Sequence, residues 1–525
     1  MSLLDDVSIV VTPNGYKAGE LYAVIPSDGA ADMDVTRATA ATRVDENGLV
    51  NYAEIVGKDL ITDGEFPSNT NWNENNAACE IIGGKAVWTS APNSTGFLGI
   101  NLNDNICEIG KTYKVTYTID SVTEGKIRIR YPDFGTQYNS SGTYPLTVTN
   151  TLTATSTDIY FQCLQTTTAS ISNVSVKEVT RDNVPRIDYT GGGCPHILAE
   201  PMRTNLIPYS EDLTEWNTGN STIAANDIVS PDGTQNADTI TVPDSNEFIY
   251  ESITTTESTE YVFSFYVKRG TIAESALKLA VYDDTANSFI VVDVSYSASD
   301  SEWTRVTQSF TTPVGCILIR AYAFRNSSST LGTFSVWGGQ VEAGSYATSY
   351  IPNFGTAAGV TRNQDIFTRD GIGSLINSTE GVLFVEMAAL ANDGSYRILS
   401  LSDGTDDERI YIQYTSTTNQ VSAVVKEEGD TQANIAYTLT DATEFHKIAF
   451  KWKLNDFALW IDGVEVGTDT SGSVPSGLNR LALDRQLDLN TLYAKVKQLQ
   501  VYDTALGGSP YNATLSDDRL RALTS

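Results

Sequence analysis

The sequence predicts an all-β protein made of tandem antiparallel β-sandwiches, with a short N-terminal strand segment and one short C-terminal helix. Composition is the first reason. Hydrophobic residues make up 41% and charged residues only 19%, with 26 Tyr and 17 Phe. The remainder is rich in Thr, Ser, Asn and Gly, which is strand material with turn formers between. The second reason is short runs of period-two alternation, separated by polar turns along most of the chain. The third is length: 525 residues exceed one ordinary core and suggest about three or four domains.

Taken in order, residues 1–57 read as a docking segment, with strands at 7–12 and 20–25 around the turn P-N-G. This is too little to hold a core alone, so it must pack on another part of the chain or on another subunit. Asn47-Gly48 makes a hairpin turn. Residues 58–181 form a self-contained sandwich, with strands expected at 85–88, 113–120, 126–131, 146–149, 158–163 and 169–178. Residues 182–204 carry prolines and a triple glycine, which excludes a regular helix and makes a restricted connector with brief strands pinned to a neighbour.

The same plan recurs over 205–355, with strands at 261–268, 277–282, 289–295, 303–310, 317–324 and 333–342. The last block, 365–525, has its own punctuation, including an Asp462-Gly463 hairpin turn. It closes on S-D-D-R-L-R-A-L at 516–523, a helix with Ser516 as N-cap and Asp517 and Asp518 in its first turn.

Net charge is −31 with a pI near 4.3. Nucleic-acid binding needs clustered Lys and Arg, and the sequence has none, so no nucleic-acid partner is expected. An anionic membrane surface is disfavoured for the same reason, and no apolar run reaches membrane-spanning length. The start M-S-L-L-D-D lacks the basic and apolar regions of a signal peptide, so the ordinary secretory route is not expected. Five cysteines, Cys79, Cys107, Cys163, Cys194 and Cys316, are odd in number and widely spaced. They fit neither a disulfide framework nor a zinc pattern and read as mostly buried thiols.

There are two histidines. His196 sits in the proline-restricted connector and His446 opens a strand, so structural roles are expected for both. No nucleophile elbow, zinc-protease motif or phosphate loop occurs. A glycosidase needs two carboxyl groups about 5 to 9.5 Å apart, a spacing that a linear sequence does not display. The β-helix repeat expected of depolymerase fibres is absent, and a non-enzymatic protein is the expectation. The loop D-G-T-D-D-E places Asp403, Asp406, Asp407 and Glu408 together, hard oxygen ligands suited to Ca2+. Tyr131, Phe134, Tyr138 and Tyr144, around P-D-F-G, are the candidate aromatic platform for a sugar.

The phrases A-T-R-V-D-E-N-G-L-V (41–50), V-P-R-I-D-Y (184–189) and I-L-A-E-P-M-R-T-N-L-I-P-Y-S-E-D-L-T-E-W-N (197–217) resemble a pattern of tailed-bacteriophage structural proteins. G-Q-V-E-A-G-S-Y-A-T-S-Y-I-P (339–352) followed by Thr361-Arg362 matches it too. Residues 58–181 then look like an insertion into a surface loop. That insert resembles carbohydrate-binding jelly rolls, whose opening phrase is matched by L-I-T-D-G-E-F…W. The resemblance implies a structural Ca2+ at Glu65, although Asn173 stands where an Asp is usual. The final domain resembles laminin-G and concanavalin-like sandwiches through H-K-I-A-F-K-W-K-L-N-D-F-A-L-W-I-D-G-V-E-V-G (446–467) and V-K-Q-L-Q-V-Y-D-T-A-L (496–506).

These resemblances imply a virion surface protein assembled in the host cytoplasm, a tail fibre or adhesin presenting lectin-like domains to host glycans. Its partners would be other virion proteins and further copies of itself. A homotrimer is expected of fibres, though no heptads mark one. The alternatives are a capsid-decorating or head-fibre protein and, in another class, a glycan-cleaving depolymerase.

Overall fold

The computed structural model describes all residues except 1–2, 4–5, 69–71, 75–78, 92–99, 103–105, 132–136, 245, 327–330, 486–489 and 507–513. The chain is all-β, with antiparallel sheets throughout. It divides into two compact units, residues 54–181 and residues 1–53 with 182–525.

In the unit 54–181, strands Thr112–Tyr131 and Tyr160–Thr180 pair antiparallel along nearly their whole length. From the sequence each strand is expected in two pieces, because S-V-T-E-G (121–125) and L-Q-T-T-T (164–168) look like turns. Instead, these polar stretches face each other, and register shifts near Ser121, Glu124 and Lys126 take them up as bulges. A bulge bends a strand without ending it. Gly125 has φ +71°, and a Cβ there would lie 2.1 Å from the Thr166 carbonyl oxygen. Trp72, Trp88, Tyr117, Phe161 and Ile171 fill the core. Ile55–Asp59 pairs onto Tyr160–Thr180 with Ile55 opposite Thr180, so the unit begins and ends side by side.

In the other unit, residues 205–355 form two five-stranded sheets. One runs Asn217–Thr218, Glu247–Thr254, Leu318–Asn326, Lys278–Asp283 and Ser288–Ser295. Its partner runs Thr222–Ile228, Ala237–Val242, Gly332–Ala343, Glu260–Arg269 and Thr304–Thr311. Trp216, Ile240, Phe263, Phe265, Phe324 and Phe334 fill the space between them.

A longer path of strands makes the last sandwich. From one edge it passes through Asp430–Thr438, Gln420–Glu427, Arg409–Tyr414, Arg397–Ser402, Arg480–Ala482 and Ile366–Arg369. It continues through Met33–Thr36, Glu20–Ile25, Val7–Lys17, Ala494–Tyr502, Glu380–Ala389, His446–Lys453, Phe457–Ile461 and Val464–Asp469. Its two ends meet, and a Cβ at Gly467 would lie 2.6 Å from Ile435 Cγ2.

Of the two packing partners open to the N-terminal strands, another part of the chain or another subunit, the structure shows the first: they are part of this sandwich. Val7–Lys17 pairs with Ala494–Tyr502, Met33–Thr36 pairs with Ile366–Arg369, and Ile9, Val11, Leu21 and Met33 lie in the shared core. The physical reason is the one that ruled out independence: these strands have an apolar face and no core of their own. The connector joins the same sheet, with Ile187–Asp188 paired to His196–Leu198 and that strand to Ala494–Tyr502. The helix spans Thr514–Thr524, starting two residues before Ser516, a difference of the size usual at helix ends. Leu520 and Leu523 pack with Phe384, Trp460 and Tyr502.

At the centre of this unit lies a buried ionic cluster. Asp365 accepts from Arg37 Nη1 at 2.9 Å, from Arg186 Nη2, and from the Glu200 amide at 2.9 Å. Glu200 accepts from Arg186, from Arg362 Nη1 at 2.7 Å and from the Ser349 amide at 2.8 Å. Arg362 also donates to the Pro201 carbonyl at 2.8 Å. Side-chain exposure in these pairs is at most 5%. Burial opposes ionisation of Glu200, but Arg362 and Arg186 pull it well below the usual carboxylate range. The same opposition holds at Asp365, where Arg186 and Arg37 win. The resembled phrases therefore meet here: Arg186 comes from V-P-R-I-D-Y, Glu200 from L-A-E-P and Arg362 from V-T-R. Beside them Val44 N donates to Asp188 Oδ2 at 2.8 Å and Arg43 Nη1 to the Ile187 carbonyl at 3.0 Å.

Asp365→Asn is expected to lower unfolding stability by about 3–5 kcal/mol, since it removes the charge that two buried guanidinium groups share. A depressed carboxyl stabilises above its unfolded value and loses that contribution as pH falls through its folded value. In urea titrations the gap from the native protein should be widest above about pH 4 and close below it. Excising residues 54–181 and joining Ala53 to Asp182 with a short glycine linker should leave the remaining unit folded. Differential scanning calorimetry of the excised protein should show the transition of that unit retained.

Candidate functional site

The outward face of the sheet containing Glu247–Thr254 is built by strand alternation. Ile249 and Ile253 point into the core, so Phe248 and Tyr250 point out and are half-buried. On Leu318–Asn326, Ile319 and Ala321 point in, which turns Arg320 and Tyr322 out. The register then shifts between the pairs Ile249–Phe324 and Tyr250–Tyr322. Ala323 and Phe324 both reach the core, and this bulge returns Arg325 to the outer face, where simple alternation would turn it inward. Tyr282 and Phe289 complete the surface from the next two strands, opposite one another.

These side chains form one band. Ring centroids lie 5.5 Å apart for Phe248 and Tyr250, 4.8 Å for Tyr250 and Tyr322, and 4.9 Å for Tyr282 and Phe289. The Arg320 guanidinium joins the two halves, 5.2 Å from the Tyr250 ring and 5.5 Å from Tyr282. Arg325 lies 4.5 Å over Phe289. Asp284 pairs with Arg320 and Asp293 with Arg325. Burial pushes the Tyr322 phenol up, so it remains a neutral donor. Such a band offers apolar faces for stacking, with cations and carboxylates at its margin for hydroxyl groups. Beneath it Glu251 shares the inward parity of the isoleucines. Its Oε2 has no hydrogen-bond partner, and burial pushes its carboxyl up to about 7.

The residues singled out from sequence lie elsewhere. Tyr131 ends the strand Thr112–Tyr131, and Phe134 lies outside the described residues. Tyr138 and Tyr144 both pack against the core of 54–181, and Tyr144 donates to the Asn139 carbonyl at 2.7 Å. Glu65 is exposed beside the contact of Gly64 with Val174, whose amide donates to the Gly64 carbonyl at 2.9 Å. Asn173 is exposed with φ +54°.

The four loop acids face different partners. Asp403 accepts from the Thr405 amide at 2.8 Å, Asp406 from Arg409 and Arg485, and Glu408 from the amides of Glu428 and Ser476. Asp407 turns towards Gly429, where an added Cβ would lie 3.0 Å from its Oδ1. Among the described residues no three His, Cys, Asp or Glu side chains gather as metal ligands.

Both histidines are held structurally. His196 Nε2 is 3.3 Å from Asp188 Oδ1, and burial pulls the ring down to about 4. His446 lies between Asp462, at 2.6 Å, and the Asp441 carbonyl, at 3.0 Å. Cys79, Cys107, Cys163 and Cys316 are buried free thiols and Cys194 is an exposed one. A cleft of about 580 Å3 beside the 42–52 hairpin includes Arg43, Trp303 and Arg305. Trp303 already donates to the Val229 carbonyl and Arg305 to Ser264.

No family model and no curated protein matches the chain. Among solved structures it is similar to the sialidase carbohydrate-binding module CBM40 of Ruminococcus gnavus, at 16% identity over 28% of this chain and 84% of that one, with a TM-score of 0.24. It is also similar to the tandem CBM22 domains of Paenibacillus barcinonensis Xyn10C, at 9% identity, 55% and 98% coverage and a TM-score of 0.22. Domains LG4-5 of mouse laminin α1 give 11%, 58%, 90% and 0.20. At these scores the functional reading rests on side-chain geometry alone.

The raised Glu251 carboxyl favours its neutral form in the folded protein, so stability should fall as pH rises from about 4.5 through about 7. Urea midpoints measured from pH 4 to 8 should show Glu251→Gln more stable than native protein at pH 8 and little different at pH 4.

Proposed function

We propose that the protein binds glycans through the aromatic and arginine band on the outer face of the 205–355 sandwich, and that it does so on a bacteriophage virion surface as a tail fibre or adhesin. The observation that supports binding is the band itself. Five rings and two guanidiniums share one sheet face, and a strand bulge serves to bring Arg325 into it. A core residue has no need of an outward ring, and a merely solvated face has no need of five. What supports the virion setting is the resemblance of the phrases at 41–50, 184–217 and 339–362 to phage structural proteins.

The role is binding without turnover. Asp284 and Asp293 at the band's margin each hold an arginine, and Glu251, whose raised carboxyl would suit a general acid, points into the sandwich instead. Other virion proteins and further copies of the chain are its partners in this reading.

The test is a glycan array followed by titration calorimetry on the best ligand. Tyr250→Ala should weaken binding roughly tenfold, about 1.4 kcal/mol, with the urea midpoint nearly unchanged because the ring is half-exposed. Unchanged affinity would contradict the assignment of the band. Immunogold labelling of intact virions with antibody to residues 365–525 should mark the tail, whereas label over the head would move the protein to capsid decoration.

A further inference from the structure

A second face carries chemistry that the jelly-roll band does not use. In the last sandwich, Ile410, Ile412 and Tyr414 of one strand enter the core, which turns Arg409, Tyr411 and Gln413 outward. Ile398 and Val424 on the flanking strands cluster with Tyr411. Arg409, Tyr411 and Gln413 line a groove of about 240 Å3 with Tyr396, Lys426 and Arg485. Three cations thus gather on one face of a chain with 65 acidic and 34 basic residues.

Their own counter-charges do not balance them. Arg409 Nη1 binds Asp406 Oδ1 at 2.6 Å, and Arg485 binds the same carboxylate through two nitrogens at 3.1 and 2.9 Å. Lys426 donates to the Gly429 carbonyl at 3.2 Å. Two guanidiniums therefore share one carboxylate, and among the described residues the ammonium's hydrogen bond goes to a neutral acceptor.

Arg409 is 2% exposed, and its Nε–H is buried without an acceptor. Its guanidinium lies 4.9 Å over the Tyr411 ring. Arg409 nevertheless borders the groove, where its charge adds to the field of Arg485 and Lys426. Tyr396, 46% exposed, stands at the rim as an apolar face. Acidic residues Asp403, Asp407, Glu408, Glu427, Glu428 and Asp430 lie in or beside the turns at the ends of these strands. They would repel a densely charged chain while leaving the groove open to a single anion.

We propose that this groove is a second binding site that takes an anionic sugar residue. A ring carboxylate or sulfate would face Lys426, Arg485 and Arg409, with the pyranose against Tyr396 and Tyr411. Paired oxygens on either group can accept from guanidinium N–H donors. This site is separate from the jelly-roll band and stands or falls without it.

The probes are a galacturonate trisaccharide, a monosulfated galactose trisaccharide and the neutral galactose trisaccharide, titrated into the full-length protein with hydrogen exchange as a second readout. At least one anionic probe should bind, with protection at residues 396–398, 409–413 and 424–426. Its affinity should fall at least tenfold in Lys426→Gln and in Arg485→Gln, both at partly exposed positions where folding is not at risk. The neutral probe should give no protection there, and Tyr250→Ala should leave the anionic binding unchanged. Binding of the uronate alone assigns a carboxylate, and binding of the sulfate alone assigns a sulfate ester. The proposal is overturned if neither anion protects the groove, if the neutral sugar protects it equally, or if both charge variants bind like the native protein.

Discussion

The larger unit holds one buried set of charges, Arg37, Arg186 and Arg362 with Glu200 and Asp365. These residues come from three stretches far apart in sequence: the N-terminal segment, the connector and the linker after the jelly roll. Ionised groups are expensive to bury, and the expense is tolerable only when each has its partners in place. The cluster therefore acts as a condition on assembly: the strands 7–36, the connector and the linker must all arrive before it is satisfied. The Nε groups of Arg186 and Arg362, buried without acceptors, show how little slack remains. The resembled phrases at 41–50, 184–217 and 361–362 are the sequence image of that condition, since each supplies a member of the cluster or a neighbour bound to it.

The same constraint explains why the inserted unit can sit where it does. Residues 54–181 enter and leave through adjacent partners, Ile55 and Thr180, between Arg43 on one side and Arg186 on the other. The cluster needs the flanking phrases but nothing between them. A domain with its own core can occupy that gap without disturbing the charges.

Much of the fold was legible in the sequence, for physical reasons. Six strands of the 205–355 sandwich match their expected positions within a residue or two, because each has an apolar face on alternate residues and polar turns at its ends, whereas Asn217–Thr218, Thr222–Ile228, Ala237–Val242 and Glu247–Thr254 were not expected. The reading failed where polarity and pairing part company. V-T-E-G and T-T-T look like turns, but each becomes an acceptable bulge once it faces the other. The N-terminal strands showed that they needed a core without showing which one, since nothing local encodes a partner some 490 residues away.

The site was less legible. Aromatics were sought on loops, where Tyr138 and Tyr144 turned out to pack on a core. The informative signal was Phe248 and Tyr250 at the polar parity of E-F-I-Y-E-S-I-T. The return of Arg325 to that face depends on a bulge that no linear pattern announces. The loop acids 403–408 showed the opposite failure, because adjacency in sequence did not survive the arginine and backbone partners that draw them apart.

The central claim is that glycan is held on the outer face of the 205–355 sandwich. Hydrogen exchange of the intact protein, with and without a saturating neutral oligosaccharide, tests it most directly. The account predicts protection concentrated in strands Glu247–Thr254, Leu318–Asn326 and Lys278–Asp283. Protection confined to residues 54–181, with those strands unchanged, would contradict it.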